Sequence, residues 1–411
     1  MNNPFQIELE NLQLESNYVG IDFDKGNFKV IFPRGYSLSK NTNSDIILLI
    51  KVFEKYIRSK KNKAFNNEFH KISTGKEKNF SIINAIWLMK DYEKNGLYKE
   101  LLPKYKVDKK GVINWPKTIK SIKPYISDNS LVYLDFVIKE NKNNLNNIIL
   151  LTQKYIIEKC INILGWLYPN ITISETNRLP YSKNICINLL KKELQLTNVD
   201  KTKSLLIHMI NFLENDGDEE PKNILKDFKT EYFQNIWEDM LNEVLGNENP
   251  SNYYPNAIWE IDNKIIQASN LRPDIILKSN NKIYVIDAKY YKYGLTKNTN
   301  HLPQSSDVIK QLIYSEYITT STGCDSFDAF ILPYQSNDST IFKFVGNATI
   351  NIDSLKNKKV VCILADTKAI MQKYIQLNDL KYLKDLIVDI IGMQNTNESK
   401  EQSSNILIKM K

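Results

Sequence analysis

Two short apolar runs joined by a tight turn constrain the fold of this chain more than any other stretch. They lie in residues 271–293, which read LRPDIILKSNNKIYVIDAKYYKY. Residues 275–277 and 283–286 are β-branched or otherwise apolar, which favours two buried strands. Residues 279–281, Ser-Asn-Asn, tolerate the backbone conformations of a tight turn. The stretch therefore predicts a buried β-hairpin.

Three charged side chains stand at the ends of this predicted hairpin. Asp274 follows Pro273 and precedes the first strand, whereas Asp287 and Lys289 end the second. Side chains alternate along a strand, so Asp287 and Lys289 share one face, and the hairpin brings Asp274 close to them. Buried charges are unfavourable unless they pair or bind a metal ion. The pattern therefore indicates a functional site.

Metal-dependent hydrolysis of a phosphodiester is the chemistry that these three residues predict. Asp274 and Asp287 offer hard oxygen ligands for Mg²⁺, which keeps several of its waters. Bound Mg²⁺ would polarise a phosphate and lower the pKa of an attacking water, and Lys289 would stabilise the developing charge. The alternative is a surface hairpin in which Asp287 and Lys289 are simply solvated.

Pro273-Asp274 and the later Asp287-x-Lys289 resemble the PD-(D/E)xK nuclease superfamily. The resemblance implies a further acidic residue on the helix before the sheet. Residues 233–241 have the spacing of an amphipathic helix, and Glu238 is the acidic candidate in it, ahead of Asp239. Glu238 would then be a catalytic residue and a third metal ligand.

A helix predicted after the hairpin, over residues 306–319, extends this resemblance. It opens with Ser-Asp, which is typical of a helix N-terminus. Lys310, Gln311 and Tyr314 resemble a glutamine–tyrosine signature on the corresponding helix of some of these nucleases. The resemblance makes Gln311 a catalytic candidate and makes Lys310 and Tyr314 candidates for DNA contact. The alternative is an ordinary polar helix surface.

More narrowly, the chain is similar to the LlaJI family of restriction endonucleases, which are relatives of the McrC nuclease subunit. The similarity lies in residues 233–241, 272–291 and 301–314, with a weaker match at 111–119. It implies a cytoplasmic, type II-like enzyme that cuts double-stranded DNA at a specific site with Mg²⁺. Because two strands must be cut, a homodimer or higher assembly on DNA is expected.

Two other functions remain open at this point. A McrC-like nuclease subunit would be activated by a separate McrB-like AAA+ GTPase, since this chain contains no nucleotide-binding motif of its own. A non-catalytic binding module would keep the nuclease fold as a scaffold for DNA or protein. The intact Asp274, Asp287 and Lys289 argue against the module, because a scaffold needs none of them.

Charge and cysteine content narrow the class of protein. The net charge of +8 is compatible with nucleic-acid binding, although many lysine-rich proteins share it. Four scattered cysteines indicate core residues in a reducing cytosol rather than a disulfide framework or a zinc site. The polar start excludes a signal peptide, and no apolar run reaches membrane-spanning length. No membrane partner is expected.

The amino-terminal half predicts a separate α+β region. A helix over 115–125, a strand over 130–138 and a polar tip over 139–147 suggest a winged-helix-like DNA reader. Lys117, Lys120 and Lys123 recur at helical spacing and would contact phosphate. The alternative is a module that docks a partner protein or supports the nuclease.

Four segments follow from these patterns. Residues 1–147 form the recognition or docking region, and residues 148–221 form a helical connector that ends in an acidic linker. Residues 222–393 form an α/β nuclease domain with a mixed central sheet flanked by helices. Residues 394–411 form a polar, flexible tail.

Overall fold

The structure is a computed structural model of the chain. It describes a set of ranges separated by short gaps: residues 7–10, 18–24, 27–61, 80–127, 130–165, 167–174, 178–215, 227–255, 257–267 and 271–395. The acidic linker predicted over 215–221 lies outside these ranges beyond residue 215, and the predicted tail lies outside them beyond residue 395. Among the helices of these ranges, none combines the length and the apolar character needed to cross a membrane.

The described secondary structure alternates strands and helices along the chain. The strands are β1 (Ile7–Glu10), β2 (Val19–Asp24), β3 (Asn27–Ile31), β4 (Leu101–Asp108), β5 (Val112–Ile113), β6 (Tyr125–Ser127), β7 (Ser130–Val132), β8 (Phe136–Asn143), β9 (Asp227–Thr230), β10 (Ile258–Ile261), β11 (Lys264–Gln267), β12 (Ile275–Ser279), β13 (Lys282–Ala288), β14 (Asp325–Tyr334), β15 (Phe342–Ala348) and β16 (Val360–Asp366). The α-helices are α1 (Thr42–Lys61), α2 (Phe80–Asn95), α3 (Trp115–Ser121), α4 (Ile148–Leu164), α5 (Lys183–Leu196), α6 (Asp200–Asn215), α7 (Phe233–Leu245), α8 (Tyr293–Thr296), α9 (Ser305–Thr322), α10 (Thr367–Gln376) and α11 (Leu380–Asn395).

The chain divides into two compact units, and the first is built from both ends of the sequence. One unit comprises Met1–Lys76 with Lys226–Lys411, and the other comprises Glu77–Leu225. The first unit takes in the amino-terminal strands because β2 pairs with β9 as well as with β3, with Val19 opposite Thr230. This division differs from the predicted segments, which assigned the first 147 residues to one region.

A five-stranded mixed sheet forms the centre of the first unit, in the order β12-β13-β14-β16-β15. Strands β13, β14 and β16 run parallel, whereas β12 and β15 are antiparallel to their neighbours. The strand β16 is buried along its whole length, as expected for a strand covered by helices on both faces. The predicted mixed α/β architecture is therefore confirmed.

The predicted hairpin is confirmed as β12 and β13. Ile275 lies opposite Ile286, and Ser279 lies opposite Lys282. Asn280 and Asn281 adopt φ angles of 50° and 60° at the turn. Positive φ at two consecutive residues is typical of a type I′ turn, whose twist matches that of the two strands of a hairpin. Asparagine tolerates this conformation.

The helix after the hairpin begins within one residue of its predicted start, whereas the helix before the sheet, predicted over 228–245, begins at Phe233 because residues 227–230 form β9. Helix α7 buries an apolar face, as predicted, through Phe233, Ile236, Trp237, Met240, Leu241, Val244 and Leu245. Helix α9 covers β13 and β14 after the hairpin. Helices α10 and α11 were not predicted. Helix α10 packs against α7 and α1, which adds the first helix of the chain to this layer.

The second unit combines a small antiparallel sheet with a helical group. In the sheet, β8 lies between β4 and β5, and helix α3 packs on β8. Helix α2 packs on α4 and α6, and α6 also contacts α5. The connector predicted over residues 148–221 is helical in its described part, through α4, α5 and α6.

Three predictions in this unit are wrong. The helix expected over 115–125 is shorter, because α3 ends at Ser121 and Tyr125 begins β6. The strand expected over 130–138 is two strands, β7 and β8, and the expected polar tip over 139–147 is mostly strand. Residues 139–143 complete β8 because β4 pairs with them, from Lys139 opposite Tyr105 to Asn143 opposite Leu101. Lys and Asn have weak strand propensity on their own, so this cross-strand pairing overrides the local pattern. The winged-helix-like arrangement stays a prediction.

Candidate active site

The central hairpin brings Asp274, Asp287 and Lys289 together at one end of the sheet, as the sequence predicts. The backbone N–H of Ala288 donates a hydrogen bond to Oδ2 of Asp274 at 2.8 Å. Nζ of Lys289 lies 2.6 Å from Oδ2 of Asp287. The backbone N–H of Lys289 donates to the carbonyl of Ile331 on the next strand at 2.9 Å. The site is thus attached to two strands of the sheet.

The two aspartates repel each other in a poorly solvated place. Asp287 is only 5% exposed. The pKa of Asp274 is raised well above its ordinary value, first by burial and then by the charge of Asp287 and of Glu238, and only the N–H of Ala288 acts against the shift. Ionisation of both carboxylates is unfavourable when they lie this close together, so a bound cation or a shared proton between them is favoured.

Lys289 is held between two carboxylates rather than one. Its ammonium lies 3.0 Å from Oδ1 of Asp307, in addition to the contact with Asp287. Burial alone lowers the pKa of Lys289, but the charges and hydrogen bonds of Asp287 and Asp307 outweigh it and raise the pKa. Lys289 therefore stays positively charged at every physiological pH.

Asp307 is a site residue that the sequence analysis missed. It lies in the first turn of α9, where its carboxylate also accepts hydrogen bonds from the N–H of Gln304 and the hydroxyl of Tyr291. Burial raises the pKa of Asp307, but Lys289 and these donors together lower it overall. The sequence signals only its role as a helix cap, because the sheet brings the start of α9 to the end of β13.

Glu238 and Asp239, the two acidic candidates on α7, occupy different surroundings. Glu238 lines the same cavity as Lys289 and raises the pKa of Asp274 through its charge. Asp239 instead accepts a hydrogen bond from the hydroxyl of Tyr374 at 2.8 Å. Within the described ranges, no three His, Cys, Asp or Glu side chains are close enough to hold a metal ion as one group. The predicted third metal ligand, Glu238, is therefore not assembled with the two aspartates.

The residues predicted on α9 mostly face the interior. Gln311 is 1% exposed, and its Nε2 donates to the carbonyl of Val285 at 2.8 Å. This contact joins α9 to the strand that carries Asp287, and the catalytic role of Gln311 stays a prediction. Lys310 is exposed, and its ammonium lies 5.6 Å from the ring centre of Tyr314. Its predicted DNA contact also stays a prediction.

Tyr314 does not fit its predicted contact with DNA. The side chain is fully buried, and its hydroxyl donates to the carbonyl of Arg272 at 3.0 Å. This hydrogen bond fixes the backbone two residues before Asp274. Tyr314 therefore positions the Pro-Asp segment from inside the protein.

Replacing Tyr314 by phenylalanine is expected to lower the free energy of unfolding by about 1 kcal/mol, the usual net value of one hydrogen bond. The buried ring keeps its packing, so the effect reports the interactions of the hydroxyl, which are the hydrogen bond to the carbonyl of Arg272 and the contact with the ammonium of Lys310. Urea denaturation measures this change, with Tyr317→Phe on the exposed side of the same helix as the control. Equal stability of both variants and the wild type would contradict the positioning role.

A cavity of about 510 Å³ opens beside Lys289. Its lining comes from the amino-terminal strands, the start of α7 and the end of β13: Tyr18, Val19, Ile31, Phe32, Arg34, Thr230, Glu231, Phe233, Gln234, Glu238, Ala288, Lys289, Tyr290 and Tyr291. Arg34 is the second residue that the sequence analysis missed, since 256 positions separate it from its partner Tyr290. The sequence carries no local signal for this long-range contact.

Comparison with known proteins defines the class to which this fold and site belong. A profile of restriction endonucleases matches residues 18–368, which is most of the chain and includes the whole site. The chain belongs to this family, the LlaJI restriction endonucleases, and its role is that of a nuclease in restriction.

A curated relative and a solved structure are also similar to this chain. The type II restriction enzyme BsuMI component YdjA of Bacillus subtilis (strain 168) is 25% identical over 380 residues, which cover 88% of this chain and 80% of the relative. The solved structure is a chain of the refined half-complex from the tetradecameric assembly of Thermococcus gammatolerans McrB AAA+ hexamers with bound McrC. It is 12% identical to this chain, and the match covers 90% of this chain and 83% of the other, with a TM-score of 0.32. That score is too low to establish a common fold.

Proposed function

We propose that this chain hydrolyses phosphodiester bonds of double-stranded DNA in a Mg²⁺-dependent reaction, as a type II-like endonuclease with a PD-(D/E)xK site. The observation that carries the proposal is the meeting of two carboxylates and one ammonium at the end of β13. Burial first, and then the charge of Asp287, raises the pKa of Asp274, and a divalent cation relieves both the repulsion and the cost of the buried charge.

The residues present fit a magnesium ion. Mg²⁺ is usually held by one or two carboxylates together with waters and substrate phosphates, so Asp274 and Asp287 suffice on the protein side. When bound, the ion supplies Lewis-acid polarisation and a water of lowered pKa. Lys289 holds a positive charge beside Asp287 for the phosphate, and Asp307 keeps its ammonium in place.

Removal of metal tests this proposal. Purified chain, with its partner subunit added if one is needed, is incubated with unmodified DNA and Mg²⁺ and is expected to produce discrete fragments. EDTA is expected to stop cleavage until excess Mg²⁺ is restored. Gel analysis of the fragments measures the reaction. Undiminished cleavage in EDTA would overturn the metal-dependent mechanism.

A partner subunit is a second part of the proposal. The curated relative is described as a component of a restriction enzyme, which favours an enzyme of more than one chain. A type II-like partner would restore cleavage without nucleotide, whereas a McrB-like AAA+ subunit would require GTP. Calorimetric titration with Mg²⁺ or Mn²⁺ separates these two kinds of nuclease from a non-catalytic module. The module would bind neither ion, in the presence or absence of DNA.

The second unit is proposed to bind DNA through exposed lysines. Lys117 and Lys120 lie on α3, and Lys117 also lies over the ring of Tyr105 at 3.2 Å. Lys123 follows the end of this helix at Ser121, so the three do not share one helical face. All three are exposed. Each phosphate contact contributes about 0.9 to the dependence of the logarithm of affinity on the logarithm of salt concentration.

Replacing all three lysines by alanine is expected to weaken duplex binding and to reduce this salt slope by up to about three. Fluorescence anisotropy at several salt concentrations measures the slope, and calorimetry checks that Mg²⁺ binding persists. An unchanged slope together with loss of a partner subunit would reassign this unit as a docking module.

A further inference from the structure

The cavity beside Lys289 is larger than the proposed hydrolysis of a phosphodiester requires. We propose that it receives one nucleotide of the DNA strand, swung out of the base stack, with a phosphate on Arg34 and the base among aromatic side chains. The inference rests on the proposed nuclease function and names a subsite for it.

The size and lining of the cavity suit a single nucleotide. Its volume of about 510 Å³ falls within the range of small-molecule sites, about 300–1,000 Å³. Five lining residues are aromatic: Phe32 and Phe233 are about 1% exposed, and the more exposed rings are those of Tyr18, Tyr290 and Tyr291. Aromatic rings stabilise an unstacked base by stacking, whatever its sequence.

Arg34 is fixed where a phosphate would lie. Its backbone N–H donates to the hydroxyl of Tyr290 at 2.7 Å, and its Nη1 donates to the carbonyl of the same residue. The hydroxyl of Thr367 donates a hydrogen bond to the backbone carbonyl of Arg34 at 2.7 Å. The bond from Nη1 occupies one of five guanidinium donors, so the group can keep its position and still donate to an anion. A planar guanidinium matches the oxygens of a phosphate.

Arg34 and Lys289 line the same cavity, and Tyr290, the partner of Arg34, follows Lys289 directly in the chain. A strand with its scissile phosphate at Lys289 would therefore present a neighbouring phosphate to Arg34. The nucleotide between the two phosphates is the one whose base enters the cavity. Two cationic groups in the lining of one cavity fit the repeating charge of a DNA backbone.

Other residues of the cavity lining carry acceptors for a base edge. Gln234 and Glu238 lie four residues apart on α7 and so share one face of the helix. Both line the cavity, together with Glu231 before the helix. Carboxylate and amide oxygens accept hydrogen bonds from exocyclic amino groups. The cavity therefore favours cytosine, adenine or guanine over thymine.

Unpairing energy provides the test, because extruding a base is less costly from a mismatched pair than from a matched one. Binding is measured in EDTA, so that no DNA is cut, on duplexes that contain a cleavage site mapped with Mg²⁺. A mismatch is placed at one position at a time around the cut. We expect one position, and only one, to strengthen wild-type binding by about tenfold, the equivalent of about 1.4 kcal/mol of unpairing energy.

Two variants connect that gain to the cavity. Arg34→Met removes the charge, and Gln234→Leu removes an acceptor, which keeps the test valid if the arginine variant folds poorly. Both are expected to lose the gain, whereas Lys40→Met, in the exposed loop after Arg34, keeps it. Mismatches that leave affinity within about twofold everywhere, or a gain that both variants retain, would overturn the inference while Mg²⁺-dependent cleavage stands. A chain that neither binds nor cuts duplex DNA would overturn the proposed function and the inference together.

Discussion

Replacing Asp287 by asparagine is expected to lower the rate of Mg²⁺-dependent DNA cleavage by about a thousandfold or more. The substitution removes one of two carboxylates that would hold the ion, and metal stabilisation of the reacting phosphate accounts for several kcal/mol. At about 1.4 kcal/mol per factor of ten, a loss of that size gives the expected rate. Single-turnover cleavage with saturating enzyme measures the effect on the chemical step.

The fold is expected to survive this substitution. Lys289 keeps its contact with Asp307 at 3.0 Å, and the asparagine carbonyl can still accept a hydrogen bond from the ammonium. Asp325→Asn is the matched control, since it lies on the parallel neighbour β14 at the opposite end of the same strand pair and is exposed. Cleavage by Asp287→Asn at the rate of this control would remove Asp287 from the site.

Replacing the buried Asp328 by asparagine is expected to stabilise the protein by about 2–4 kcal/mol above pH 8. Burial raises the pKa of Asp328 from 3.8 to about 7, although Ser315, Lys358 and Gln311 act against the shift. At about 1.4 kcal/mol per pKa unit, the ionised side chain destabilises the folded state by about 4 kcal/mol. Among the described atoms, Oδ1 of Asp328 and Oε1 of Gln311 find no hydrogen-bond partner, and an amide supplies donors there.

The pH dependence gives the sign of this effect. Between about pH 4 and pH 7 the folded protein keeps a proton on Asp328 that the unfolded chain has lost. The free energy of unfolding therefore falls as pH rises through this window. The asparagine variant is expected to lose that decline. Urea denaturation at pH 5 and pH 8.5 measures it, with exposed Asp385→Asn as the control. Parallel pH profiles for wild type and Asp328→Asn would contradict a pKa near 7.

The core of the candidate site could be predicted because its determinants are local. The turn at Asn280 and Asn281 fixes the hairpin register, and alternation along β13 then puts Asp287 and Lys289 on one face. The buried face of α7, which includes Trp237, could also be predicted, because its apolar residues recur at helical spacing. Each of these features depends on residues fewer than about twenty positions apart.

What the sequence could not predict depends on pairing between distant segments. Asp307 reaches Lys289 only because the sheet order brings the start of α9 to the end of β13. Arg34 reaches Tyr290 only because the segment after β3 lies beside the residues that follow β13. In the second unit, β4 gives residues 139–143 a strand conformation that their own propensities do not favour. Local periodicity carries no information about such partners.

The way in which both ends of the chain build one unit has a consequence during synthesis on the ribosome. Arg34 and Asp45 emerge early, yet their partners Thr367 and Lys368 emerge more than 300 residues later. Contacts between such distant residues form late, whereas Glu77–Leu225 is a continuous stretch. A nascent chain that stops before β16 has neither these contacts nor a complete sheet. Interrupted translation is therefore expected to yield fragments in which the strands that carry the candidate site lack their parallel neighbour β16 and the packing of both chain ends.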